Sequence, residues 1–124
     1  MTVLAALAAA LALTAAPALP PPGVVDGPTA QRVAAAGALV LDVRTPAEYA
    51  GGHIPGAKLL PYDQVTARAA ELPAKDRPLL VYCRTGHRTA MAIAQLKQLG
   101  YAAIYDLKGL SNWTGPIERE AQRQ

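Results

Sequence analysis

The run Leu79-Leu80-Val81-Tyr82 is apolar at every position and passes through Cys83-Arg84-Thr85-Gly86-His87-Arg88 into a stretch with Ala92, Leu96 and Leu99 on one helical stripe. A strand with no polar face has to be covered on both sides, the condition of a parallel sheet held between two helical layers. The rest of the chain repeats the alternation. Residues 28–36 read as a short helix stopped by Gly37, and 38–43 as a strand apolar on both faces until Asp42. A short helix is expected over 46–50, an extended segment over 57–60, and helical composition over 62–71 that ends before Pro73. A helix over 89–99 stopped by Gly100 and a strand over 102–105 complete the pattern. The expected fold is α/β in three layers, with a mostly parallel central sheet and helices on both faces. Ligands in such folds sit beyond the carboxyl ends of the strands, which is where Cys83 falls.

Cys83 is the only cysteine in the chain. The thiolate is the reactive form of cysteine, and backbone N–H groups, a helix N-terminus and nearby cations all favour it. If residues 84–88 curl into a tight loop, successive amides point inward as a concave anion nest. Gly86 permits the close turn. Arg84 and Arg88 add fixed positive charge, and a planar guanidinium can donate two hydrogen bonds to one oxyanion. Cys83 is thus the expected catalytic nucleophile, and Arg84, Thr85, Gly86, His87 and Arg88 the expected substrate-binding loop, with His87 at the rim tuning local charge. The plainer alternative is a small buried core cysteine followed by a solvated basic turn. For Arg88, an ion pair with a carboxylate of the fold stands beside the binding role.

At 124 residues and 12.9 kDa, with 52% hydrophobic residues, the chain fills one core and leaves no room for a second domain. A net charge of +3 with scattered basic residues, one Trp, five Tyr and no Phe gives no nucleic-acid patch and suits small anions better. One cysteine excludes an internal disulfide. A metal site would have to be assembled from Cys83, two His and distant carboxylates, and no glycine-rich phosphate motif follows a first strand, so neither metal nor cofactor is expected. The first eighteen residues differ from the rest: 3–16 is uncharged and rich in Ala and Leu, and Ala16-Pro17-Ala18 offers the small residues a signal peptidase accepts. The expected organisation is a signal peptide over 1–18, a linker over 19–27 around Pro20-Pro21-Pro22-Gly23, and a folded domain over 28–124. A periplasmic or secreted location follows, without stable membrane insertion after cleavage. Because no Lys or Arg precedes the apolar run, an uncleaved anchor is the competing reading. In an oxidising compartment a lone thiol is a hazard unless it is used.

Four blocks carry a family resemblance: Leu41-Asp42-Val43-Arg44-Thr45-Pro46-Ala47-Glu48-Tyr49, then Gly52-His53-Ile54-Pro55-Gly56-Ala57, then Cys83-Arg84-Thr85-Gly86-His87-Arg88, then Tyr105-Asp106-Leu107-Lys108-Gly109 with Trp113. In this order and spacing they closely resemble the rhodanese, or thiosulfate sulfurtransferase, homology domain, in its small single-domain exported bacterial form. Leu110 departs from the pattern, since many members carry a second glycine there. The resemblance implies a rhodanese-like three-layer fold and a two-step sulfur transfer. The Cys83 thiolate would take the outer sulfur of thiosulfate, release sulfite, and pass the sulfur from a persulfide to cyanide or a thiol. Arg84 and Arg88 are the candidates for the sulfonate end of the donor. Asp42, Arg44 and Glu48 read as local pairing and capping groups, His53 as a hydrogen-bonded structural post, Trp113 as packing near the C-terminal turn, and 118–124 as a solvated or helical tail.

Two other functions compete. A cysteine phosphatase or arsenate reductase also sets a cysteine and an arginine around an oxyanion, but such loops place five residues between the two, and only four separate Cys83 from Arg88. A non-catalytic binding or sulfur-relay module would accept persulfide sulfur from a partner protein without turning over a small donor.

Overall fold

The computed structural model describes residues 18–120. Five strands, β1 (Gly23–Val24), β2 (Leu39–Asp42), β3 (Lys58–Leu59), β4 (Leu79–Cys83) and β5 (Ile104–Gly109), alternate with three helices, α1 (Gly27–Ala35), α2 (Pro46–Ala50) and α3 (His87–Gln98). Every strand pair is parallel, and the order β1-β5-β4-β2-β3 puts β4 at the centre. The three-layer α/β arrangement expected from the sequence is the one observed. No helix among the described residues is long and apolar enough to cross a membrane.

Successive side chains of β4 enter two different cores, the geometry that a period of two imposes. Leu79, Val81 and Cys83 pack with Ala92 and Leu96 of α3. Leu80 and Tyr82 face the other way, onto Ala30 and Val33 of α1. All five residues of β4 are buried, which is why the run has no polar position.

Capping fixes where the helices start. The Asp26 carboxylate accepts from the Thr29 N–H at 2.9 Å ahead of α1. At α2, Thr45 and Glu48 form a reciprocal capping box, with Pro46 in the first turn. The helix over 46–50 falls where the sequence places it.

Three segments differ from the sequence reading. Residues 62–71, helical by composition, form turns and only a short 3-10 helix, Ala69–Glu71. Val65 is the one residue of this stretch that is buried, and Thr66 is claimed by the Gln95 side chain, which accepts from its N–H at 3.1 Å and its hydroxyl at 2.9 Å. Tertiary capture at those points replaces a continuous apolar stripe. The last strand runs over Ile104–Gly109 rather than 102–105, with a bulge at Leu107: Val81 pairs with Asp106, but Tyr82 with Lys108. Third, the stretch 19–27, read as a linker, lies against the folded body. Leu19 and Val25 pack on the α1-side core, the Tyr105 hydroxyl donates to the Pro20 carbonyl at 2.8 Å, and β1 pairs with β5. Ala18 apart, the expected signal peptide lies outside the described residues, as do 121–124 of the tail.

A buried polar network locks the carboxyl ends of the strands together. Asp42, fully buried, accepts from the Arg44 backbone N–H at 3.0 Å, from Arg44 Nε at 2.9 Å and Nη2 at 2.6 Å, and from the Tyr82 hydroxyl at 2.7 Å. Tyr82 in turn accepts the Ile54 N–H at 3.1 Å, and Arg44 Nη2 donates to the Gly52 carbonyl at 2.7 Å. Burial, together with the hydrogen bond to Asp42, pushes the Tyr82 phenol well above its ordinary value, so it remains a donor. Tyr82→Phe strands the Ile54 N–H in a dry interior. Urea denaturation should register a loss of about 1–3 kcal/mol, and an unchanged midpoint would show that the hydroxyl is dispensable.

Candidate active site

The site stands on the end of β4. Cys83 is 1% exposed, and the chain turns immediately beyond it so that the Gly86 N–H donates to Cys83 Sγ at 2.9 Å. Gly86 sits at φ 112°, in the left-handed region that glycine reaches without strain. It is also the residue before α3, and no side chain caps that helix. The first N–H groups of a helix have no partner inside it, and the positive end of the peptide dipoles points the same way. Behind the loop, Thr89 is fully buried and its hydroxyl donates to the Gly86 carbonyl at 2.7 Å, leaving that residue's N–H turned toward sulfur.

The strand next to the loop needs a glycine for a different reason. A Cβ on Gly109 would overlap the Arg84 carbonyl oxygen and crowd Thr85. Just before it, Lys108 has φ 69°, the one positive φ at a non-glycine among the described residues, with its N–H donating to Asp106 Oδ1 at 2.8 Å. Leu110, the departure from the family pattern, opens the 3-10 turn Leu110–Asn112 without positive φ and packs against the α1-side core. The missing second glycine therefore costs the turn nothing.

Of the expected binding residues, Arg84, Thr85 and His87 are exposed on the loop, and Gly86 is half-buried. Arg88 is drawn to α2: its Nη1 and Nη2 donate to Glu48 Oε1 at 2.7 Å and Oε2 at 2.9 Å. Of the two readings open for Arg88, this geometry is the ion pair. Glu48 thereby serves two elements, since the same carboxylate receives the Thr45 N–H and hydroxyl at the start of α2. The capping role of Glu48 is the one expected from the sequence, and the Thr45-x-x-Glu48 spacing carries it. The partner across the site could not have been read there.

His53 is held as a structural post. Its Nδ1 lies 2.8 Å from the Tyr49 carbonyl and its ring stacks on Tyr49 at 3.7 Å. Its backbone makes a two-way bridge with Glu118, at 2.9 and 2.8 Å. The beginning of the tail is thus pinned through its backbone, while Glu118, Arg119 and Glu120 remain exposed. With Trp113 and α2, this segment walls an open cleft of about 740 Å³ that meets the loop at Arg84 and Thr85. Cys83 and His87 are not among its lining residues.

The Glu48–Arg88 pair makes stability depend on acid. Hydrogen bonds from Arg88 above all, and from Thr45, hold the Glu48 carboxyl at about 2 instead of the usual 4.5. A carboxyl depressed on folding contributes stability that is complete above its ordinary value and is lost as pH falls toward the folded one. Glu48→Gln should therefore be less stable than the wild type at neutral pH. The two urea midpoints should converge between the usual 4.5 and about 2, because a protonated Glu48 is itself neutral. A gap that persists undiminished in strong acid contradicts the pairing. Glu71, held at about 2 by Arg68 and Lys58, keeps part of the acid transition in both proteins.

The fold and this loop agree with what sequence and structure comparisons return. The Rhodanese-like domain family matches residues 28–115. A protein named Sulfurtransferase from Allochromatium vinosum is 46% identical over 71 residues, covering 57% of this chain and 65% of the relative. Thiosulfate sulfurtransferase GlpE from Stutzerimonas stutzeri is 38% identical over 76 residues, 60% of this chain and 67% of that one. The chain spans less than two thirds of some of these relatives, 65% of the Allochromatium protein and 64% of the uncharacterized YqhL of Bacillus subtilis. Among solved structures, a rhodanese-related protein from Thermoplasma volcanium superposes with a TM-score of 0.70 at 27% identity, covering 78% of this chain and 98% of that one. A rhodanese with anions from E. coli gives 0.61 at 30% identity, over 65% and 96%. From the match over 28–115, with the sheet order and sulfur-bearing loop described above, the chain belongs to the rhodanese-like domain family.

Proposed function

We propose that this protein is a sulfurtransferase that moves sulfane sulfur from thiosulfate, or a similar anionic donor, to cyanide or a thiol through a persulfide on Cys83. The observation that carries the reading is the Gly86 N–H aimed at Cys83 Sγ at 2.9 Å, on a loop that runs into the uncapped start of α3. In the first step the Cys83 thiolate attacks the outer sulfur of thiosulfate, the S–S bond of the donor breaks, and its electron pair leaves with sulfite. In the second, the acceptor attacks the terminal sulfur of the persulfide and the thiolate is regenerated. Each step is a displacement at sulfane sulfur by an anionic nucleophile that releases another, so no general base is required and ping-pong kinetics follow.

In both resting states the negative charge rests on sulfur, where donors fixed in advance stabilise it without reorganisation. Gly86 supplies one such donor, and the amides opening α3 supply a favourable field. Arg84, exposed on the loop, is the group that meets the donor's sulfonate. Thr85 and His87 flank the entrance. Arg88, engaged through both terminal nitrogens, acts by holding the loop to α2 and adds positive charge on that side. Export, with removal of residues 1–18, belongs to the same proposal.

Intact mass after incubation with thiosulfate should show one added sulfur on the wild type and none on Cys83→Ser, and transfer to cyanide by that variant should fall to background. A wild type that gains no sulfur defeats the reading. The same spectrum, taken on protein recovered from outside the cytoplasm, should place the N-terminus at Leu19.

A further inference from the structure

We infer that the cleft beside the loop is an acceptor site for an organic thiol that carries a carboxylate, with Arg119 as the residue that selects it. The inference rests on the sulfurtransferase reading and names its acceptor class. At about 740 Å³ the cleft is of the size that encloses organic ligands, and it far exceeds what cyanide or thiosulfate fills. Leu110, Trp113 and Ile117 give it an apolar wall, and Ile117 is 42% exposed there, a poor place for a large aliphatic side chain unless something organic covers it.

Its charges are largely spoken for. Arg44 is committed to Asp42 and the Gly52 carbonyl, and Glu48 to Arg88. Arg84 and Arg119 remain, both exposed and without an ion pair among the described residues. Arg84 follows Cys83 directly, and Leu110 follows Gly109, which pairs with Cys83 across the sheet. One end of the cleft is therefore lined by residues that neighbour Cys83 along the chain and across the sheet. Arg119 belongs to the segment that the His53–Glu118 bridge and the bond from the Glu120 N–H to the Ala50 carbonyl at 3.2 Å fasten beside α2. A thiol directed to the loop, an apolar body along Leu110 and Trp113, and an anion at Arg119 satisfy the lining together.

The test compares two thiols with the same six-carbon body, 6-mercaptohexanoate and 6-mercaptohexanol, as acceptors from Cys83 persulfide prepared with thiosulfate and freed of excess donor. The carboxylate should raise kcat/KM about tenfold, the size of one hydrogen bond to a charged group. Arg119→Gln should erase most of that ratio, and Arg119→Lys should restore part of it. Equal use of the two thiols by the wild type overturns the inference, as does a ratio that survives Arg119→Gln, or discharge by a protein thiol and by neither small one. Binding is read separately from chemistry through Trp113, the sole tryptophan, whose fluorescence in Cys83→Ser should respond saturably to the hexanoate and not to the hexanol. Failure of the wild type to form a persulfide overturns the sulfurtransferase reading and the acceptor role with it, while the Trp113 titration decides separately whether the cleft binds the carboxylate.

Discussion

A carboxylate with no access to water organises the end of the molecule where the chemistry would take place. Asp42 has no exposed surface, and a buried charge left without partners costs several kcal/mol, so the elements that answer it cannot drift apart. Arg44 wraps back onto it within the same turn, Tyr82 reaches it from the central strand, and through those two side chains the backbone at Gly52 and Ile54 is held as well. The loop after Cys83 and the cleft beside it rest on this frame. Tyr82 precedes Cys83, so the residue that anchors β4 to its neighbour also fixes where the sulfur sits.

A second polar tie, between Glu48 and Arg88, works at the surface of the same frame. Exposed ion pairs contribute little as a rule, but this one is bidentate, and its carboxylate is already positioned by the capping box of α2. It joins a short helix to the start of the long one across the mouth of the loop. One arginine that the sequence offered as an anion ligand is thereby committed to the protein itself, and Arg84 is left as the exposed loop arginine with no ion pair among the described residues.

Much of this is legible in the amino-acid sequence alone. The central strand, the helix that follows it and the loop between them are strongly patterned because burial on both faces leaves no choice of residue type at 79–83. The short helix at α2 carries its signal locally, in Thr45, Pro46 and Glu48. What escaped depends on distant partners. β1 is two residues long and acquires its conformation from β5. The bulge at Leu107 and the left-handed Lys108 are set by the register against β4, and nothing in Tyr105-Asp106-Leu107-Lys108-Gly109 announces them. Residues 62–71 have helix-forming side chains without a stripe to bury, so contacts from Gln95 decided their course. The attachment of the tail at His53 escaped because its hydrogen bonds are made by backbone atoms, which leave no trace in residue type.

That attachment has an evolutionary consequence. Main-chain bonds fix the path of the segment around Glu118 while asking nothing of the side chains at Ile117 and Arg119, and the segment lies past residue 115, where the match to the family ends. Such a border can be rewritten by drift at little cost to folding. The turn after Cys83 can thus be inherited intact while two or three positions at the rim of the neighbouring cleft change independently of it.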